Sequence, residues 1–521
     1  MFLRETKRMV AGKPVTYLFL VENKRVDGKT QQKVIHSFGN KADLIASGKY
    51  HEIWERFGIP EKRPPTMPLD AKILSTTHFG YDSLLSALWK KLHLFDILDE
   101  ASSETKIHFD FSEAIYCMVL NRLLEPGSKQ HVMLWKDTIG RPGFNEIQSQ
   151  NLYRALDILT LEMDGIEEKL FATTQKLVSE PLDLVLFDTT ATYFEGDGHA
   201  TDMLQFGHSK DHRSDRKQIV VGVLMTGSGI PVCHGVFDGN ESDAPIYREV
   251  LNDFAARFKI RNIIMAADRG MVGDKTCETL SGLGYPYIMG ARYRNDLLAQ
   301  RAIESTKQFE VVRANLHVKD VLVKGSRFVV CYNPEEAEHS RKTREEILKQ
   351  LKNKLAKKSG TKELVSNQGY RKWINMSGSA TIDYEKVKDE EKYDGIYVLK
   401  TDTDLPAAEI ALAYKKLWKI ERGFRDLKSE LGLRPVYHWT MYRICGHVAV
   451  CFLALHAECV LDYLIHKTFP EMTCTGIQHE KHSITELHRI TFEKDGQTWQ
   501  KESESTPILT MLLKSLKQGV V

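Results

Sequence analysis

The chain opens on a partial alternation of apolar and polar positions in PVTYLFLVENKRVDGKTQQKVIHSFGN, on both sides of Asp27-Gly28. This predicts a β-hairpin, because successive strand residues point to opposite faces and Asp-Gly suits a tight hairpin turn. IPEKRPPTMPLD, from Ile59 to Asp70, carries too many prolines for a helix interior or a sheet ladder and reads as a linker. From Tyr81 to about Leu170 the apolar spacing changes to three and four, as in SLLSALWKKLHLFDILD and FSEAIYCMVLNRLL, which predicts an all-helical region.

Near Pro181 the pattern becomes a series of short β-rich runs, LDLVLFDTT, KQIVVGVLMTGSGIPVCHGVFDGN, RNIIMAADRG and YPYIMGARY, with helix-like APIYREVLNDFAARFK between the second and third. An α/β domain with a mixed sheet under helical cover is expected. Charged HSRKTREEILKQLKNKLAKKSG, flanked by strand-like VVRANLHV and RFVVCY, interrupts it before strand-like DGIYVLKT and a further helix. The expected organisation is an N-terminal β-hairpin unit at 1–66, a helical domain at 70–178, a sheet domain at 179–294 and 394–469, an insertion at 295–393, and a tail at 470–521 with an Asp495-Gly496 hairpin. A chain of 521 residues exceeds one ordinary core, so three or more units are expected.

Composition changes this picture little. Net charge is only +2, so a surface for a polyanion must come from local segregation of charge. Eight cysteines, scattered and mostly within apolar runs, fit the reduced core of a cytoplasmic protein better than a disulfide framework. MFLRETKRMVAGK has no apolar signal-peptide core. HVAVCFLALHAECVLDYLI is interrupted by His447, His456, Glu458 and Asp462, which predicts a buried helix and no membrane role.

Three acids stand out. Asp188 follows LDLVLF and Asp268 follows IIMAA, so each is expected at or near the end of a buried strand, where an anion is costly without cations or donors. Either could instead cap a turn. Glu421 is expected on a helix with Asp404 as N-cap, Pro406 in its first turn and a stop at Gly432. Leu417, Ile420, Phe424, Leu427 and Leu431 define its packed face, while Tyr414, Glu421 and Lys428, seven residues apart, form a row along that face's edge. The competing reading pairs Glu421 with Arg425, worth roughly 0.2–0.5 kcal/mol on an exposed helix. Three carboxylates from two strands and a helix suit Mg²⁺, which takes oxygen ligands and leaves positions for water and phosphate.

These segments resemble the DDE transposases of bacterial insertion sequences, whose catalytic domain has a ribonuclease-H-like fold. FDTTATYFEG resembles the first-aspartate motif, MAADRGMVGD the second, and YKKLWKIERGFRDLK the Tyr-Arg-Glu-Lys motif, with Leu417 at the arginine position. FGHSKDHRSDRKQIVVG and GNESDAP resemble further stretches of one insertion-sequence branch, and the likeness runs from about Leu182 to Leu455. It implies that Asp188, Asp268 and Glu421 are catalytic and bind divalent metal, two Mg²⁺ ions with Mn²⁺ as a substitute. It also implies that water cleaves DNA at the element's ends, that the freed 3′-hydroxyl attacks target DNA, and that two ends are synapsed by a homodimer. Tyr414 and Lys428 would face phosphates, with Lys415, Lys416 or Arg422 as substitutes for the charge that Leu417 lacks; Arg422 and Arg425 are also expected to bind DNA.

Ser209, Lys210, His212, Arg213, Arg216 and Lys217 make a basic loop suited to DNA phosphates, although Asp211 and Asp215 within it allow a charge-balanced turn. Cys445, His447, Cys451, His456 and Cys459 share one apolar helix without paired metal-ligand spacing and read as core. HEKH at 479–482 lacks the spacing of a zinc helix. Trp418 and Phe424 read as helix packing, and Glu195, Asp197, Asp202 and Asp243 as loop acids or neighbours of the site. The expected function is a DNA transposase acting in the cytoplasm at the nucleoid; the alternatives are a nuclease without strand transfer and an inactive DNA-binding protein. The N-terminal unit and the helical region are both candidates for end recognition, with no helix-turn-helix signal to choose between them.

Overall fold

The computed structural model describes residues 2–10, 13–26, 29–47, 49–50, 53, 71–179, 182–195, 201–207, 213, 215–258, 263–268, 274–356, 372–375, 381–494 and 496–518. The chain divides into two compact units rather than three or more: Met1–Ser179 with Glu430–Gly432 and Ala449–Val521, and Glu180–Ser429 with Leu433–Val448.

In the first unit, β1 (Phe2–Val10), β2 (Lys13–Val26) and β3 (Lys29–Asn40) form an antiparallel sheet, one strand more than the expected hairpin. Asp27-Gly28 and the linker Ile59–Asp70 lie outside the described residues. Helix α1 (Lys41–Ala46), whose N-cap Asn40 accepts from the Ala42 amide, covers one face through a core of Leu3, Leu18, Leu20 and Leu44. β4 (Lys72–His78) leads into α2 (Gly80–Lys91), α3 (Phe111–Leu124) and α4 (Ser149–Val178). Asp110 starts α3 by accepting from the Glu113 amide, and Ala114 to Leu120 of that helix are fully buried.

The second unit begins with β5 (Leu184–Tyr193), β6 (Gln218–Thr226), β7 (Pro231–Asp238), α5 (Asp243–Phe258), β8 (Ile264–Ala267), α6 (Asp274–Leu283) and β9 (Tyr287–Gly290). β5, β6 and β7 are antiparallel neighbours, whereas β5, β8 and β9 run parallel. An antiparallel meander followed by two parallel strands is the ribonuclease-H-like arrangement. α7 (Leu297–Glu304), β10 (Glu310–Arg313), β11 (Leu316–Val323), β12 (Ser326–Tyr332), α8 (Pro334–Ala356) and the short pair β13 (Ile374–Asn375) and β14 (Thr381–Ile382) follow.

The segment 295–393, expected as an insertion within the sheet domain, adds strands to its sheet. β15 (Ile396–Thr401) pairs with both β12 and β9, giving one nine-stranded sheet in the order β10-β11-β12-β15-β9-β8-β5-β6-β7. Burial holds the extra strands there, since Phe328, Val330 and Val398 share one apolar cluster with Ala299 and Ala302 of α7.

Helices α9 (Ala407–Lys415) and α10 (Trp418–Ser429) precede α11 (Met441–Thr468), which starts in the second unit and continues into the first. α11 is long and apolar enough to cross a membrane by length and composition alone, yet 78% of its apolar window is buried inside the molecule. The segment expected as a tail is integral to the first unit. After α12 (Cys474–Thr485), β16 (His488–Lys494) and β17 (Gln497–Glu502) form a hairpin whose β16 pairs with β4, from His488 beside His78 to Glu493 beside Lys72. Gly496 takes a φ of 71° in that turn. α13 (Pro507–Gln518) then packs on α2.

Candidate active site

Asp188 lies in the middle of β5, opposite Val223 of β6, and not at a strand end as expected. The strand continues because Thr189 to Tyr193 are β-branched, small or aromatic and stay paired with β6 as far as Gln218. In the parallel register of β5 with β8, Phe187 pairs with Ala267, so the next step sets Asp268 beside Asp188. Neighbouring strands lie about 4.8 Å apart. Asp188 is half-buried and accepts the Thr189 amide at 2.7 Å, while Asp268 is exposed just beyond β8.

The two faces of β5 have different neighbours. Phe187 stacks on Tyr247 of α5 at 4.7 Å, and the Thr189 hydroxyl donates to Asp243 at the start of α5. Strand alternation therefore directs Asp188 away from α5. Asp243, a loop acid by sequence, is hydrogen-bonded to the residue after Asp188; its place in GNESDAP was the signal.

The helix expected from Asp404 to Gly432 is broken into α9 and α10 at Lys416 and Leu417. Amides of Lys416, Leu417, Lys419 and Ile420 bond three residues back, a tighter turn that shifts the helical phase. The Lys419 ammonium holds the start of α10 to the β6–β7 turn, donating to the carbonyls of Gly227 at 3.1 Å and Ser228 at 3.0 Å. Pro406 is the N-cap, with no side-chain cap bond. Tyr414, Glu421 and Lys428 consequently do not form one uninterrupted row. The packed face is as expected: Leu417, Ile420, Phe424, Leu427 and Leu431 are all buried. α10 packs on β5.

Glu421 and Arg425 are both exposed, and among the described residues Glu421 has no ion-pair partner, so the ordinary pairing is not formed. Arg422 meets Asp426 at 3.5 Å. Lys428 is half-buried on the last turn of α10. The Tyr414 hydroxyl donates to Asp268 Oδ1 at 2.9 Å, and its ring stacks on Tyr397 at 6.1 Å. Among the described residues no three His, Cys, Asp or Glu side chains converge as a metal-holding group. The two aspartates are neighbours by register, and Glu421 stands on a helix packed against the strand of one of them.

Of the basic loop, Ser209, Lys210 and His212 lie outside the described residues. Arg213 makes a two-pronged pair with Asp215 at 2.8 and 3.0 Å and lies over the Tyr193 ring. That exposed pairing raises the arginine pKa and lowers the aspartate's through their hydrogen bond. Gln218 ties this loop to the next motif by donating to the Gly239 carbonyl at 2.8 Å. A Cβ on Gly207 would lie 1.9 Å from that same carbonyl oxygen, so only glycine fits.

Comparison with known proteins decides the family. The family described as "Transposase DDE domain" matches residues 181–455, and "IS1634 family transposase, N-terminal domain" matches residues 3–57. The chain belongs to the DDE transposases. No curated protein matches it. Among solved structures, the piggyBac transposase synaptic complex with hairpin DNA is similar at 9% identity and a TM-score of 0.37, covering 78% of each chain. The Mos1 transposase paired-end complex with left transposon end is similar at 14% identity and a TM-score of 0.16, covering 35% of this chain and 60% of that one. By its family, this transposase is a DNA-cleaving and strand-transferring enzyme of the insertion-sequence type. Its family uses divalent metal ions, and carboxylates such as Asp188 and Asp268 offer the hard oxygens that such ions take.

Proposed function

We propose that Asp188, Asp268 and Glu421 together hold two Mg²⁺ ions, with Mn²⁺ as a working substitute, and that the transposase cuts DNA at the ends of its element and joins them to a target. The observation that supports this reading is the β5–β8 register, whose last pair, Phe187 with Ala267, immediately precedes both aspartates. Glu421, with no ion-pair partner among the described residues and on a helix packed against β5, is supported as the third ligand. When bound, the ions supply neutralisation of the scissile phosphate and an acidified water.

The protein's own part is positioning. Thr189 and Asp243 brace the backbone beside Asp188, Tyr414 orients Asp268, and Lys419 fixes the start of the helix that carries Glu421. Leu417 is apolar and buried, and Lys419 is committed to backbone carbonyls, so the phosphate cation comes from another residue. Arg425, exposed one turn after Glu421, is the better replacement, with Arg422 and Lys428 beside it and Ser209, Lys210 and Arg213 from the basic loop. Synapsis would engage two copies of the chain at the nucleoid, in the cytoplasm.

Purified protein is incubated with Mg²⁺ and duplex carrying the inverted repeats that flank its own gene. Cleavage at the repeat and joining to a second duplex are expected from the wild type. Asp188→Asn, Asp268→Asn and Glu421→Gln should each lower both steps at least 100-fold while binding the repeat normally. Wild-type rates in any of the three would remove that residue from the site. Cleavage without joining would leave the nuclease reading, and binding without cleavage the inactive one.

A further inference from the structure

We infer that the face of the β1–β2–β3 sheet opposite α1 is the surface with which this transposase grips duplex DNA, laid into the major groove and presenting Arg4 and Arg8 to base edges. The inference rests on the chain acting on DNA, and it chooses between the two regions that sequence left as candidates for end recognition.

Charge gives the first argument. Residues 1–50 carry ten Lys and Arg against four Asp and Glu, a net of +6, whereas the whole chain is only +2. The entire positive excess therefore resides in this small unit, and a polyanion is the partner that such segregation suits.

The placement of that charge gives the second. α1 and its leucine core occupy the face of Leu3, Leu18 and Leu20, and there Glu5 is neutralised by Lys41 at 2.7 Å. Pairing of Arg4 with Phe19, Thr6 with Tyr17 and Arg8 with Val15 puts Arg4, Thr6, Arg8, Tyr17 and Phe19 on the opposite face. Arg4 and Arg8 are exposed. Arg8 lies over the Phe19 ring at 5.4 Å, and Arg4 reaches across β2 to the Gln32 side chain. The Phe19 ring thus holds Arg8 at the surface, with no carboxylate partner in the described residues, and Gln32 holds Arg4.

Dimensions agree. Three strands span about 10 Å between their outer axes, against about 12 Å for the B-DNA major groove. Guanidinium groups carried flat on a sheet can offer two donors to guanine O6 and N7, and sheets are established readers of that groove.

Full-length protein in EDTA is titrated by fluorescence anisotropy with duplex DNA bearing its own terminal repeat, with a scrambled duplex, and with duplex RNA of the repeat sequence. The EDTA removes cleavage, so failure of the metal-site assignment cannot mimic failure here. Arg4→Ala with Arg8→Ala should weaken repeat binding at least tenfold and remove the preference for the repeat over the scramble. Arg4→Lys with Arg8→Lys, which keeps charge and fold, should hold the slope of log affinity against log salt and lose preference for the repeat over the scramble. Unchanged affinity and preference in the lysine variant would overturn the inference, whatever the alanine variant does. So would equal affinity for duplex RNA, whose deep, narrow major groove excludes a sheet.

Discussion

Tyr414 touches Asp268 through a single 2.9 Å hydrogen bond, and that bond separates two roles that sequence merges. The resemblance implies a tyrosine on phosphate, whereas the geometry has its hydroxyl orienting a carboxylate. A bond to a charged group at an exposed site is worth about 1 kcal/mol, or about fivefold. Tyr414→Phe should therefore raise the Mg²⁺ concentration needed for half-maximal cleavage about fivefold and leave affinity for repeat DNA in EDTA unchanged. Weaker DNA binding at an unchanged Mg²⁺ requirement would return the tyrosine to phosphate. Sequence was informative here about identity and less so about place. The apolar run LDLVLF ends to the eye at Asp188, but pairing with β6 carries the strand five residues further, to Tyr193. Such pairing is set by a distant segment and leaves no local mark.

At the scale of elements, the packed face of α10 was legible because burial imposes a 3.6-residue period on Ile420, Phe424 and Leu427. The break before it was not, because its cause is tertiary: Lys419 reaches carbonyls nearly 200 residues earlier in the chain, with separations of 192 and 191. α11 was read correctly as a buried helix, and its interior histidine has a measurable consequence. His456 is fully buried against the Thr174 hydroxyl of α4, with 3.0 Å between ring nitrogen and oxygen, and burial pushes its pKa down to about 3 from 6.5. Between those values the unfolded chain binds a proton that the folded chain refuses. Stability from this group is therefore complete above pH 6.5 and falls toward pH 3, at up to about 1.4 kcal/mol per pH unit. In His456→Gln, which can keep a bond to Thr174 and does not titrate, urea unfolding should show a smaller loss between pH 6.5 and 4. The same loss in both proteins would show that other groups dominate the acid limb.

For the whole molecule, the last part of the chain completes the first unit. Sequence suggested a tail because a lone hairpin and a short helix bury little by themselves; their partners, β4 and α2, lie about 400 residues upstream, as the pairing of His488 with His78 illustrates. Leu487, Ile508, Leu509, Leu512 and Leu516 are all buried. Burying one leucine or isoleucine is worth about 1.5–3 kcal/mol, so these five match the roughly 5–15 kcal/mol by which a typical domain is stable. Removing everything after Glu486 also strips β4 of its neighbour and leaves an open edge prone to association. Such a truncation should abolish cooperative unfolding of the first unit. The second unit, with its own nine-stranded sheet, should keep a protease-resistant core spanning β5 to β15. Limited proteolysis read by mass spectrometry tests both halves. Protection of α2 to α4 in the truncated chain would mean that the helices need no C-terminal support, whereas loss of the β5–β15 core would mean that the two units fold as one.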